Sequence, residues 1–481
     1  MSKEIGITVK KNENFSEWYT QIVLKAHLAD YAPVKGLIVL RPYGYSIWES
    51  LKSSLDQKLK ATGHENGFLP VLIPESLLSK ESDHFAGFTP EVFWVTHSGD
   101  AEIGDRLALR PTSEALAYSM YSKWIKSWRD LPMKINFWNT ALRAEIKATK
   151  PFLRTSEFLW QEGHTVHTTK EEAEEEVMTI LDMYKKTVEE ELAIPIITGK
   201  KSEKEKFVGA VYTTTMESIM PDGKALQMGT SHFLGQNFSK PFDVKFLDKQ
   251  NVETFAWQTS WGVSWRLIGA LIMIHGDDKG LVLPPRVAPI QVVIVPIYYS
   301  PEDRESVLNK ASEIKEILVK CNLRVHMDIR DEVTPGYKFN DWEMKGVPLR
   351  IEIGPKDLAK GKVVLVRRDN LKKTDLVFEN IEEGIPNMLN EIQHGLFENA
   401  KNLLKEKIKS VSDFAELKSE IEKGSVLYAS WCGETKCEEI IKESTGAEIR
   451  VIPFDVRNDD STCCIVCKNT SKTLAIFARS Y

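Results

Sequence analysis

Two segments, "INFWNTALRAEI" and "TSEFLWQEGH", alternate apolar and polar residues on either side of the breaker "KATKP". Period-two alternation rich in aromatic and β-branched residues predicts two antiparallel strands joined by a turn. Residues two apart then share a face, so Arg143 and Glu145 point the same way, as do Arg154 and Phe158 on the return strand. One surface would hold guanidinium groups, a carboxylate and a ring. A planar guanidinium fork suits phosphate and an aromatic face suits a stacked base, which together describe a nucleotide. The plainer alternative is a solvated hairpin whose charges pair with one another.

At 481 residues the chain exceeds a single core, and about three domains are expected. Lys+Arg 63 against Asp+Glu 69 gives a net charge of −6, so no global basic field points to nucleic acid, although a local basic surface can be balanced elsewhere. The N-terminal "MSKEIGITVKKNENFSEW" has no apolar core of a signal peptide, and no run approaches the ~18 apolar residues of a membrane span. A cytoplasmic protein without membrane association is expected. Cysteine usage agrees, since five of the six cysteines crowd together near the end as C-x4-C followed by "CCIVC". In a reducing compartment close pairs suggest metal, and Cys432, Cys437, Cys464 and Cys467 make a four-sulfur zinc (Zn2+) site, with Cys463 competing for the third place.

Three regions follow from the patterns. Residues 1–287 mix helices with aromatic-rich strands around Leu131 to Trp160 and Phe242 to Trp261, the α+β arrangement of an antiparallel sheet with helices packed on it. Between them lies the acidic helix "KEEAEEEVMTILDMYKKTVEEEL", with Val177, Ile180, Leu181 and Tyr184 on one face. Residues 288–395 alternate apolar strands with helices, which predicts a small α/β unit with largely parallel strands. Residues 396–481 begin with a Lys- and Glu-rich helical run and end in short strands around the cysteines.

Further segments carry chemistry. "LALRPTSEALAY" passes from a strand through Pro111 into a helix, leaving Thr112 and Glu114 at its start, where capping is the ordinary explanation. "ALQMGTSHFLGQNF" places Gln227, Thr230 and His232 in a polar, glycine-containing strand, where a histidine is more often structural. "TSWGVSWRLIGALIMIHGDDKG" sets Gly262, Ser264 and Arg266 ahead of an apolar helix, and an arginine starting a buried helix needs a partner for its charge.

Taken together, Arg143-x-Glu145, a loop, then Arg154-x-x-x-Phe158-x-x-x-Glu162 resembles motif 2 of the class II aminoacyl-tRNA synthetases, and Gly262 to Arg266 resembles motif 3. "GHENGFLPVLIPE", with Pro70, looks like motif 1, the element that forms the family's dimer. The strings "RPTSE", "FLRTSEFLWQEGH", "QMGTSHFLGQNFS", "WEMKGVPLRIEIGP" and "ARSY" resemble prolyl-tRNA synthetases of the archaeal and eukaryotic type, along essentially the whole chain.

The resemblance implies a class II catalytic domain, an anticodon-binding domain and a small zinc-containing C-terminal domain, in a homodimer that joins L-proline to its tRNA with ATP. It implies that Arg143 holds the α-phosphate and the proline carboxylate, and that Phe158 and Arg266 sandwich the adenine. Arg154, Thr155, Gln227, Thr230 and Ser264 match nucleotide-contacting positions, and Glu145 and Gln227 lie near magnesium (Mg2+). Thr112 and Glu114 match the ammonium-binding pair, while Trp160, Glu162, His164, Phe207 and His232 match the proline pocket wall. Glu343 and Arg350 match positions that read the anticodon guanines; without the resemblance, "WEMKGVPLR" is a helix-to-strand turn with surface charge. Bacterial relatives carry an editing insertion between motifs 2 and 3, where this chain has only about Thr165 to Ala225, so no editing domain is expected. Two positions depart from the pattern: Trp265 and Met228 stand where the family has smaller residues, adding bulk beside the site. A synthetase for another amino acid of the same subclass, and a non-catalytic relative that binds tRNA, are the alternatives; the latter commonly loses the motif arginines, both of which are present.

Overall fold

In the computed structural model residues 6–84, 91–144, 148–454, 462–471 and 473–481 are described. The predicted hairpin is present as β1 (Met133–Leu142) and β2 (Glu157–His167), antiparallel with Leu142 opposite Glu157 and Phe137 opposite Glu162. Both strands are shorter at the turn than the alternation suggests. Arg143 lies one residue past β1, its N–H donating to the Ser156 carbonyl at 2.7 Å. Arg154 sits in the turn before β2, its N–H bonded to the Lys150 carbonyl at 2.8 Å, so it does not share a strand face with Phe158. Pro151 supplies no donor to a ladder, and Phe152 takes φ 62°, which turns the chain before pairing can begin.

The hairpin belongs to an eleven-stranded sheet. Inward from it follow β6 (Trp257–Ser264), β5 (Ala225–Gly235), β4 (Tyr212–Ile219) and β3 (Ile197–Lys200), all antiparallel. Helix α1 (Glu114–Trp124) precedes the hairpin, α2 (Lys170–Leu192) follows it, and α3 (Arg266–His275) leaves the end of β6. Helix α2 buries Val177, Ile180, Leu181 and Tyr184 as predicted and starts at a Thr169–Glu172 capping box. Gly163 is required where β2 passes β6, because an added Cβ would stand 2.0 Å from the Trp261 indole.

The second region holds β7 (Val292–Pro296), α4 (Pro301–Lys320), β8 (Val325–Met327), α5 (Pro335–Met344), β9 (Leu349–Ile353), β10 (Lys362–Arg367), β11 (Lys373–Val377) and α6 (Ile381–Lys407). Its sheet is mixed: β7 pairs in parallel with β8 and β9, but β9–β10 and β10–β11 are antiparallel. The expected parallel character stops where connections become too short for a crossover, which takes a dozen or more residues. Helices α4 and α6 cover one face through Val307, Ile314, Ile385, Leu389 and Ile392.

The last region places β12 (Val426–Trp431), α7 (Thr435–Thr445), β13 (Glu448–Pro453) and β14 (Thr473–Ala478) in an extension of the first sheet. Ile452 and Pro453 of β13 pair with Lys200 and Gly199 of β3, making one continuous surface. Gly199 permits this approach, since an added Cβ would lie 2.2 Å from the Ile452 carbonyl. From β13, Arg450 reaches the buried carboxylate of Glu217 on β4 at 3.2 Å, and Lys201 meets the same carboxylate at 2.7 Å.

Candidate active site

One face of the first sheet carries a cavity of about 580 Å³, and with the exception of Glu145 it brings together every nucleotide and proline residue singled out above. Thr112 and Glu114 come from the start of α1, Arg143 from the end of β1, Arg154 and Thr155 from the turn, and Phe158, Trp160, Glu162 and His164 from alternate positions of β2. Phe207 arrives from the loop before β4, Gln227, Thr230 and His232 from β5, Ser264 from β6 and Arg266 from the first position of α3. Glu145 lies outside the described residues.

Strand parity alone would put Gln227 on the opposite face from Thr230 and His232. A β-bulge resolves this: Met216 pairs with Gly229 and Glu217 with Gln227, leaving Met228 as the extra residue. Met228 is thereby buried in the core beneath the sheet, with Trp265, which meets Phe152 edge-on at 5.8 Å. The two departures from the family pattern therefore pack into this core and also line the cleft.

One end of the cavity is cationic. The Arg143 guanidinium stands 5.3 Å from the Phe158 ring centroid and its Nε donates to the Pro111 carbonyl at 3.3 Å. Arg266 donates its backbone N–H to Ser264 Oγ at 3.3 Å, and its guanidinium meets no acceptor among the described residues. Burial, reinforced by the nearby Arg143 charge, pulls the Arg266 guanidinium down to about 10. Cations gathered in a cleft are costly until an anion joins them, and a triphosphate meets that need.

The opposite end is a buried acid–base cluster. The Glu162 carboxylate accepts from His164 Nε2 at 3.2 Å, from Asn139 Nδ2 at 2.9 Å, from the Ser113 N–H at 3.3 Å and from the Ser113 hydroxyl. Burial works to raise the Glu162 carboxyl, but these donors, led by His164, outweigh it and hold the group ionised. His164 is also opposed by burial, yet its bond to Glu162 and the charge of Glu114 raise it above its ordinary value. The Thr112 hydroxyl donates to Glu114. His232 receives no such support: burial, then the His164 charge, push it down to about 3, so it is neutral. Its ring packs 4.7 Å from Phe207. A small cation enclosed by carboxylates and rings fits this end.

Some supporting residues were not singled out from sequence. Ser113 lies inside "RPTSE" and follows from that string, but Asn139, Lys201 and Glu217 carry no local signal. Arg110, 2% exposed, ties the carbonyls of Leu69 and Pro70 to that of Thr140 and so fixes motif 1 against β1.

Comparison with known proteins decides the family. Residues 93–275 match the tRNA synthetase class II core domain (G, H, P, S and T), residues 291–388 the anticodon binding domain, and residues 414–481 the C-terminal domain of prolyl-tRNA synthetase. A proline-tRNA ligase of Cenarchaeum symbiosum is 65% identical over 99% of this chain and 100% of its own. One from Natranaerobius thermophilus is 53% identical over 98% of this chain and 97% of its own, and proline-tRNA ligase 2 of Bacillus cereus is 51% identical over the full length of both. The chain belongs to the prolyl-tRNA synthetase family. It is a class II ligase with an anticodon-binding domain and the family's C-terminal domain.

In the synthetase's second region Glu343 lies in the last turn of α5 and Arg350 on β9. Arg350 Nη1 donates to Glu343 Oε1 at 3.0 Å, its Nε to Glu352 at 3.1 Å, and its guanidinium lies 4.2 Å from the Phe339 ring. The two expected readers thus touch, but Arg350 is only 7% exposed and already divided between two carboxylates.

At the synthetase's C-terminal end the Sγ atoms of Cys432, Cys437, Cys464 and Cys467 lie within 4.8 Å of one another. The Cys432–Cys437 and Cys432–Cys467 separations are 3.6 and 3.7 Å, close to the ~3.8 Å edge of a sulfur tetrahedron with ~2.3 Å Zn–S bonds. Cys463 is exposed and outside this group. No helix among the described residues is long and apolar enough to cross a membrane.

Proposed function

We propose that the cavity activates proline with ATP and then passes the prolyl group to the terminal ribose of the proline tRNA. What carries the reading is the union, in one cleft of about 580 Å³, of a cationic end and a carboxylate-lined end. Proline would sit with its secondary ammonium toward Thr112 and Glu114 and its ring among Trp160, Glu162, His164, Phe207 and His232. A neutral His232 adds no charge against that ammonium.

The adenine would lie between Phe158 and Arg266, with Arg154, Thr155, Gln227, Thr230 and Ser264 around the nucleotide. Arg143 would bridge the proline carboxylate and the α-phosphate. As a carboxylate oxygen attacks phosphorus and pyrophosphate leaves, its guanidinium offsets the charge that builds on the phosphoryl oxygens. No side chain acts as a nucleophile; positioning and charge supply the rate. Magnesium, which class II chemistry employs on the phosphates, would sit near Glu145 and Gln227.

The anticodon would be read by Glu343 and Arg350, since guanine edges offer donors to a carboxylate and acceptors to an arginine. A structural zinc would fill the four-cysteine group, whose sulfur spacing suits it. The motif 1 surface, where Phe68 is 85% exposed beside half-exposed Val71 and Leu72, would join two copies in a homodimer. The chain would lack an editing module, the stretch from about Thr165 to Ala225 between motifs 2 and 3 being short and holding α2, β3 and β4.

Pyrophosphate exchange measured with each of the twenty amino acids tests the reading: proline alone should support rapid exchange. Arg143→Ala should lower that exchange by at least ~10²–10³-fold with the fold intact. Exchange driven best by another amino acid, or left normal in Arg143→Ala, would overturn it.

A further inference from the structure

Helix α3 begins at Arg266 in the cationic end of the cleft and runs 10 residues, a rod of ~15 Å, straight into the segment Gly276 to Leu283. One side of that segment is fixed to the catalytic core. Lys11 Nζ donates to the Gly276 carbonyl at 2.7 Å, and Trp18 Nε1 to the Asp277 carbonyl at 3.1 Å.

The other side is fixed to the second region. Arg368 grips Asp277 with both arms of its guanidinium, Nη1 to Oδ2 at 2.7 Å and Nη2 to Oδ1 at 2.6 Å, while its Nε donates to the Glu343 carbonyl at 2.9 Å. The Arg368 side chain is 2% exposed, so its charge depends on Asp277. Leu281 and Leu283 donate their N–H groups to the Met344 and Gly346 carbonyls at 3.0 and 3.1 Å. Gly280, at φ 134°, lets the segment lie flush on the end of α5, where an added Cβ would be 2.6 Å from Met344 backbone.

The Glu343 carboxylate is shared. Arg350 takes one oxygen at 3.0 Å, and Lys279, from this same segment, approaches the other at 3.3 Å. A guanine edge that donated to Glu343 would compete with Lys279, giving Glu343 a second arrangement that asks something different of the segment. From this chain of contacts we infer that Asp277 and Lys279 are positioning residues that couple occupancy of the Glu343–Arg350 site to the placement of Arg266. The inference rests on the anticodon role proposed for that pair.

Coupling of this kind is reciprocal: whatever anticodon binding does to the cleft, filling the cleft does to anticodon affinity by the same factor. The isolated anticodon stem-loop of the proline tRNA, which lacks the acceptor end, reports that factor directly. Its affinity is measured with the cleft empty and with the cleft filled by a non-hydrolysable sulfamate analogue of prolyl adenylate. The analogue should change stem-loop affinity by about fivefold or more in the wild type and by less than about twofold in Asp277→Asn and in Lys279→Met. Proline-dependent exchange and melting temperature should stay close to wild type in Lys279→Met, whose side chain is half exposed, whereas Asp277→Asn, which leaves the buried Arg368 without its carboxylate, should melt lower. Wild-type affinity indifferent to the analogue, or full coupling retained in both variants, overturns the inference. Failure of the underlying anticodon reading is seen separately: a stem-loop with its two guanines replaced would then bind the wild type as well as the native one.

Discussion

The phenol of Tyr481 donates a 2.7 Å hydrogen bond to Asp222, 259 residues away in the chain. Lys224 and Lys150 stand 4.8 and 5.5 Å from the same ring, Ala225 and Tyr481 share a backbone bond at 3.3 Å, and Tyr481 lines the cleft. Lys150 begins the turn that carries Arg154, so the ring steadies the loop side of the nucleotide end. Tyr481→Ala should therefore raise the KM for ATP several-fold in proline-dependent exchange, while zinc content stays normal. An unchanged KM would leave Tyr481 as ordinary edge packing.

His232 makes a stability prediction with a definite sign. Its ordinary value of 6.5 falls to about 3 in the folded chain, so the unfolded chain takes up the proton first as the pH drops. The stabilising contribution is whole above pH 6.5 and erodes between 6.5 and 3, with a slope approaching about 1.4 kcal/mol per pH unit. Urea unfolding at pH 7.5 and 5.5 should show a larger loss in the wild type than in His232→Gln. An imidazolium signal from folded His232 at pH 6 would contradict the assignment.

How far such features can be read from sequence depends on whether their cause is local. Alternation places Phe158, Trp160, Glu162 and His164 on one face of β2, because side-chain direction in a strand is set residue by residue. Arg154 escapes that logic, since the positive φ of Phe152 and the missing donor of Pro151 end the pattern first. The Met228 bulge is invisible in a single strand, being a mismatch between two. The pairs Arg450–Glu217 and Arg368–Asp277 join residues 233 and 91 positions apart, which no periodicity encodes. The resemblance to a family supplied the site residues but not these joints.

The sulfur geometry distinguishes two neighbouring cysteines. Burial opposes ionisation of Cys464, but the N–H groups of Cys467, Val466 and Cys432 point at its sulfur and bring it down to about 7, whereas Cys463 is exposed and outside the cluster. Cys464→Ser should purify without zinc and melt at a lower temperature, because β12, β14 and β13 continue the sheet from the cleft. Cys463→Ser should keep about one zinc per chain by elemental analysis. The reverse pattern would exchange their roles.

Proline selection should be incomplete. The pocket wall is rigid: Phe207 packs against His232, Thr213 and Thr230 bond both ring nitrogens of that histidine at 2.9 and 3.0 Å, and Glu162 is locked by four donors. Such a wall excludes larger amino acids by clash. It cannot clash with alanine, which forfeits only two ring methylenes and their contacts, at roughly 1–3 kcal/mol each. Alanine-dependent exchange should therefore be measurable but run roughly 10²–10⁴-fold below the proline rate in kcat/KM. With residues 165–225 committed to α2, β3 and β4, the alanyl-tRNA so formed should persist beside the enzyme. Acid-gel separation of charged tRNA checks both steps, and rapid clearance of alanyl-tRNA by this protein alone would contradict the prediction.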